Sequence, residues 1–106
     1  MGMEMQFTKR VQKTIAMGRI TVPKKYDDVF DNSKYCAIGN SVDITYYLKS
    51  GTQLHGRLYH STNNTTTYYQ FYIADSRSEK IFNDEIKNEK EISIHFDLAT
   101  KSLHVK

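Results

Sequence analysis

Tryptophan is absent from this 106-residue chain, which also has one cysteine and one proline. A lone Cys36 excludes an internal disulfide and fits a reducing compartment, so a cytoplasmic location is expected. No sequence-adjacent histidine or basic cluster would activate the thiol, so Cys36 reads as a small buried residue. With Pro23 as its single proline, the chain has no stretch resembling an interdomain linker. It also lacks internal repeats and low-complexity segments, and one domain over 1–106 is expected. No run approaches the roughly 18 apolar residues of a membrane span, and the N-terminus has no signal-peptide core. Hydrophobic residues make up 39% of the chain, below the usual about 45–50%. The eight tyrosines partly compensate, each bringing a large ring with a polar tip.

Catalytic signatures are missing as well. There is no GxSxG, P-loop or dinucleotide fingerprint. The four histidines, His55, His60, His95 and His104, have no zinc-site spacing, and neither CxxC nor HExxH occurs. Glu85-Ile86-Lys87, with Asp75 upstream, matches the ExK half of a metal-dependent nuclease site. It falls, however, within "NDEIKNEKE", which reads as a solvated helix end. The expectation is a domain that is not an enzyme by itself and needs no metal, cofactor, membrane or small-molecule substrate.

What the chain does have is asymmetric charge. Residues 1–26 carry Lys9, Arg10, Lys13, Arg19, Lys24 and Lys25 against Glu4, a local charge of +5. The remainder holds nine basic and eleven acidic residues, or −2. A basic N-terminal quarter on a near-neutral body points to a polyanion on one face.

Patterning is mostly β. "MQFTKRVQKT" is a broken apolar pattern around basic residues, and "RITV" is a short strand ending at Pro23. Proline suits the first turn of a helix, and Tyr26 and Phe30 lie one turn apart, so "PKKYDDVF" predicts a short amphipathic helix. "SVDITYYLKSGTQLHGRLYH" predicts a hairpin turning at "KSGT", with Val42, Ile44, Tyr46, Leu48, Leu54, Gly56 and Leu58 on one face. In "TYYQFYI", Tyr69, Phe71 and Ile73 share a face. A second helix starts near Ser76, where Ser76 and Glu79 have capping-box spacing and Ile81, Phe82 and Ile86 form the buried stripe. "EISIHF" and "SLHV" close the chain as strands around "DLAT". Five to seven strands curled around two short helices would bury these faces and protect the sheet edges.

Between the middle strands lies the polar loop "STNNTT", Ser61–Thr66, preceded by His60 and followed by two tyrosines. These side chains can bond base edges or phosphate oxygens, and they are equally ordinary in a hairpin turn.

The stretch "FTKRVQKTIAMGRITVPKKYDDVF" resembles the N-terminal part of the plant B3-type DNA-binding domain, whose motif reads GR(I/L)-x-(I/V)-P-K followed by a short helix ending in an aromatic residue. "VDITYYL", "GRLYHSTNNTTTYYQFYI", "SRSEKIF" and "IKNEKEISIHFDLATKSLHV" follow the family's order over nearly the whole chain; "GRITVPKKY" is the close match. The same pseudobarrel serves bacterial restriction endonucleases of the EcoRII and BfiI types and McrBC-like systems of the LlaJI kind. The missing tryptophans, and Glu89-Lys90-Glu91 in place of the usual G-D, lean toward the bacterial restriction type.

The resemblance implies a seven-stranded open β-barrel with two short helices, acting as the target-recognition module of a restriction system. This chain would then be a fragment or subunit beside a nuclease or motor domain. Sequence-specific binding of double-stranded DNA would use two arms in the major groove. Carried over by position, the first arm comprises Thr8, Lys9, Arg10, Gln12, Lys13 and Thr14, with Arg19 opening the motif. The second comprises His60, Ser61, Thr62, Asn63, Asn64, Thr65, Thr66 and Tyr68; Lys24 and Lys25 would flank the site. An alternative resemblance is to AbrB/MazE-type swapped-hairpin regulators, which share G-R-I-T-I-P-K but are about half as long and dimerise to complete a barrel. A third reading is a protein-interaction β-domain whose basic surface is incidental.

Overall fold

The structure, a computed structural model, describes residues 4–16, 18–33, 35–62 and 66–106. In chain order the elements are β1 (Glu4–Arg10), a single helical turn α1 (Lys13–Ala16), β2 (Ile20–Thr21), a 3-10 turn (Lys24–Tyr26) running into α2 (Asp27–Ser33), β3 (Ser41–Tyr47), β4 (Gln53–Thr62), β5 (Thr67–Ile73), α3 (Ser76–Ile86), β6 (Glu91–Asp97) and β7 (Ser102–Val105). The strands form one sheet in the order β1-β6-β7-β3-β4-β5-β2. Among the described residues only the β3–β7 pair is parallel. The architecture is therefore mainly β, a seven-stranded, nearly closed barrel with two short helices, at the upper end of the five to seven strands that the patterning predicts.

Period-two alternation builds the interior. Met5 and Phe7, Ile44 and Tyr46, Leu54 and Leu58, Tyr69, Phe71 and Ile73, and Ile92, Ile94 and Phe96 all point inward and are buried. The curl of the sheet is visible in one contact. Phe96 on β6 and Phe71 on β5 are separated in strand order by β7, β3 and β4, yet their ring centroids lie 4.8 Å apart. Phe30 of α2 meets Tyr69 near the start of β5, at 4.6 Å. Phe82 of α3, which follows the end of β5, meets Tyr46 edge-on at 5.8 Å. Helices of opposite ends thus fill the interior that a half-closed sheet would leave wet.

Several local expectations differ in detail. "KKY" forms a 3-10 turn ahead of α2, and Tyr26 stays half-buried because its hydroxyl donates to the Gln6 carbonyl, 2.6 Å away. That bond gives edge strand β1 a partner. The cap of α3 is Asp75 rather than Ser76: its carboxylate accepts from the Ser78 amide (2.8 Å) and hydroxyl (3.0 Å). These bonds, the amide's first, hold the Asp75 pKa below the ordinary carboxylate value. Ile81 is 37% exposed, so the buried stripe of α3 is Phe82 and Ile86. The segment read as a polar loop is shorter: Ser61 and Thr62 belong to β4, where they pair with Tyr68 and Thr67. Cys36 is buried, as expected.

Gly18 explains the glycine of "GRITVPKK". Its φ is +84°, and an added Cβ would lie 2.7 Å from Ile73 Cδ1. The Tyr46 hydroxyl, fully buried, donates to its carbonyl at 3.1 Å. Gly18→Ala must accept left-handed backbone and push Ile73 aside, and is expected to cost about 1–3 kcal/mol. A urea melt checks this; an unchanged midpoint would contradict it.

Candidate nucleic-acid interface

β1 and β2 are the two edges of the sheet and are joined by the short connection through α1, so the barrel's open seam lies between them. A concavity of about 380 Å³ sits there, lined by Thr8, Lys9, Arg10, Gln12, Ile15, Arg19 and Thr21. A second, of about 420 Å³, is lined by Thr21, Lys24, Thr66, Tyr68 and Gln70. A third, of about 240 Å³, is lined by Arg19, Tyr59, Gln70 and Tyr72. Shared walls at Arg19, Thr21 and Gln70 make the three one continuous groove.

Register builds its floor. Thr21 pairs with Gln70, and Gln70 with Tyr59, so a row of outward side chains crosses β2, β5 and β4. Gln70 Nε2 donates to Thr21 Oγ1 at 3.2 Å. Tyr59 and Tyr72 meet edge-to-face with centroids 6.3 Å apart.

The groove is electrostatically one-sided. Among the described residues, Lys9, Arg10, Arg19 and Lys24 line it and no carboxylate does. None of these four joins an ion pair among the described residues. Arg57, farther along β4, differs: its Nε lies 3.5 Å from Asp43, and Nη1 donates to Ser41 Oγ at 3.1 Å. Beyond Arg57 the surface is therefore locally neutralised. Lys24 Nζ donates to Thr66 Oγ1 at 3.1 Å, tying the end of the β4–β5 connection to the turn after Pro23.

The structure thus brings most of the first predicted arm, and two residues of the second, to one surface. Thr8, Lys9, Arg10, Gln12 and Arg19 line the seam, and Thr66 and Tyr68 line the adjoining concavity. Lys13 is exposed in α1 but does not line the groove, and Thr14 lies in the same turn. Half-buried Ser61 and exposed Thr62 end β4 beside the groove's Tyr68. Asn63, Asn64 and Thr65 lie outside the described residues. His60 goes elsewhere: it is 6% exposed, with its ring stacked on Tyr69 at 4.0 Å, so the pleat sends Tyr59 to the groove and His60 inward. Thr21, Tyr59, Gln70 and Tyr72 were not among the expected residues. For Gln70 and Tyr72 the signal was present, since they alternate with buried Tyr69 and Phe71. Tyr59 joins them only through strand register.

Glu85 and Lys87 sit at the end of α3, and among the described residues no group of three acid, histidine or cysteine side chains is placed to hold a metal. No helix of the described residues is long and apolar enough to cross a membrane.

No family model matches the chain, and no curated protein does. Among solved structures the chain is similar to that of the hypothetical Arabidopsis thaliana protein At1g16640.1, with a TM-score of 0.54 and 13% sequence identity over 97% of this chain and 88% of that one. At that identity the likeness shows the fold alone, the nearly closed seven-stranded barrel over essentially the full length of both chains.

Proposed function

We propose that this domain binds double-stranded DNA in a sequence-specific manner, as the target-recognition module of a restriction system, and leaves catalysis to a partner nuclease or motor domain. One observation carries the reading: a continuous groove at the barrel seam lined by four cations and no carboxylate. Cations that release counterions from phosphates supply most of the affinity of such a surface. The β4–β5 ribbon beside the groove suits a major groove about 12 Å wide, which admits a two-stranded ribbon. Gln12, Gln70 and the threonines add donors and acceptors that can read base edges. The restriction setting rests on the "GRITVPKKY" resemblance. A swapped-hairpin regulator has less support, because its barrel needs a second chain and here one chain supplies seven strands.

Anisotropy titration against a random duplex pool tests the reading. Binding is expected at low salt and should weaken steeply as salt rises; no binding at low salt would end the proposal. Within the groove, Gln70→Ala is expected to relax preference at one base position by about 1–3 kcal/mol while leaving non-specific affinity nearly intact. Selection of bound duplexes reads this out, and an equal loss on all sequences would reassign Gln70 to the DNA backbone.

A further inference from the structure

We infer that a second site, on the opposite face of β4 and β5 from the groove, binds a small organic cation bearing N–H donors, an alkylammonium or alkylguanidinium. The site is a cavity of about 370 Å³ lined by Phe30 and Asp31 of α2, by Cys36, Ala37 and Ile38 of the segment after it, and by His60 and Tyr69. It is separate from the DNA reading and stands or falls without it.

The chemistry follows from His60. Its Nδ1 lies 2.8 Å from the Cys36 carbonyl oxygen. A carbonyl only accepts, so in the neutral ring the proton sits on Nδ1 and Nε2 presents a lone pair. The stack on Tyr69, 4.0 Å between centroids and 19° between planes, holds the ring in that orientation. Nε2 is buried and has no hydrogen-bond partner among the described residues. An orphaned buried acceptor is uncommon in a folded protein and calls for a donor.

The surrounding groups are acceptors too. The Tyr69 hydroxyl donates to Asp31 Oδ1 at 2.5 Å. Burial first, and that bond second, push the Tyr69 pKa well up, so the proton stays on the phenol and Asp31 stays an acceptor. Asp27, one turn before Asp31 on α2, also has a buried oxygen, Oδ1, without a partner among the described residues. Its pKa is raised by burial and then by Asp31, while Lys24 opposes the rise. Lys24, whose charge acts on Asp27, already donates to Thr66.

Among the described residues, the Nε2 lone pair and the Asp31 carboxylate line the cavity and the Asp27 carboxylate stands one turn before Asp31, an acceptor set with net negative charge. An anion is repelled by it, and a neutral acceptor ligand leaves every orphan in place. A cation with several N–H groups satisfies both the charge and the hydrogen bonds. Ile38, 58% exposed at the rim, offers apolar surface to the alkyl part of such a ligand.

The test is an NMR titration of the intact chain with agmatine and with 1,4-diaminobutane, following the His60 ring signals. Tetramethylammonium, which has the charge but no N–H, serves as the control at matched ionic strength. At least one N–H cation is expected to shift the His60 signals saturably, tetramethylammonium is expected not to, and Asp31→Asn is expected to weaken the binding roughly tenfold or more. No saturable shift at tens of millimolar, an equal shift with tetramethylammonium, or unweakened binding in a folded Asp31→Asn variant would each overturn the site. The control comparison uses the unaltered protein, so it decides even if the variant does not fold.

Discussion

Phe96→Ala is expected to destabilise the domain by about 3–5 kcal/mol, a large share of the roughly 5–15 kcal/mol that holds a small domain folded. Phe96 is fully buried and meets Phe71 at 4.8 Å, Phe30 at 6.2 Å and Tyr35 edge-on at 6.3 Å. Those rings belong to β5, to α2 and to the segment after α2, so the side chain ties the far wall of the barrel to the near wall and to its helical plug. The void would be walled by groups from both sides of the barrel, which places the cost toward the upper end for a large-to-small change. The melting temperature should fall by more than about 12 °C. Ile81→Ala, at the exposed side of α3, serves as the contrast and should change stability by less than about 0.5 kcal/mol. Thermal denaturation of both variants checks this, and a Phe96 variant within about 1 kcal/mol of the parent would mean the sheet is not closed around that ring.

The second large effect concerns charge. Replacing Arg10 and Arg19 together by alanine is expected to lower duplex affinity at least tenfold at low salt. It should also flatten the dependence of log affinity on log salt by roughly two, about 0.9 for each phosphate that is no longer neutralised. Both side chains line the seam cavity, and neither has an ion-pair partner among the described residues. Arg57→Ala is the internal control. Its guanidinium is already engaged by Asp43 and Ser41, so the slope should hardly change. Anisotropy titrations at several salt concentrations measure both. Equal effects for Arg57 and for the Arg10/Arg19 pair would place the DNA away from the seam.

Most of the barrel was legible because alternation is a backbone property. Once Ile44, Tyr46 and Leu48 face one way, or Tyr69, Phe71 and Ile73, the pleat leaves little choice. The same rule extended two residues further would have placed His60 inside, in step with Leu54, Gly56 and Leu58. Reading the polar residues after it as a loop ended the strand too early and put His60 beside the expected DNA surface. Ile81 shows the reverse limit: next to Phe82 on a helix, only one of two adjacent apolar residues can face the core, and packing decides which. Asp75 equals Ser76 in capping chemistry, and only the turn geometry separates them. The two arms were assigned by position along the chain. Their shared floor was not, because Thr21, Gln70 and Tyr59 become neighbours through the β2–β5 and β5–β4 registers, which pair residues far apart in sequence.

The most direct measurement is an NMR titration of the domain with a selected duplex, following every backbone amide. The seam groove predicts the largest shifts at residues 8–12, 19–21 and 66–72, diminishing as salt is raised. Shifts concentrated on β6, β7 or α3 with the groove unmoved, or none at low salt, would contradict it.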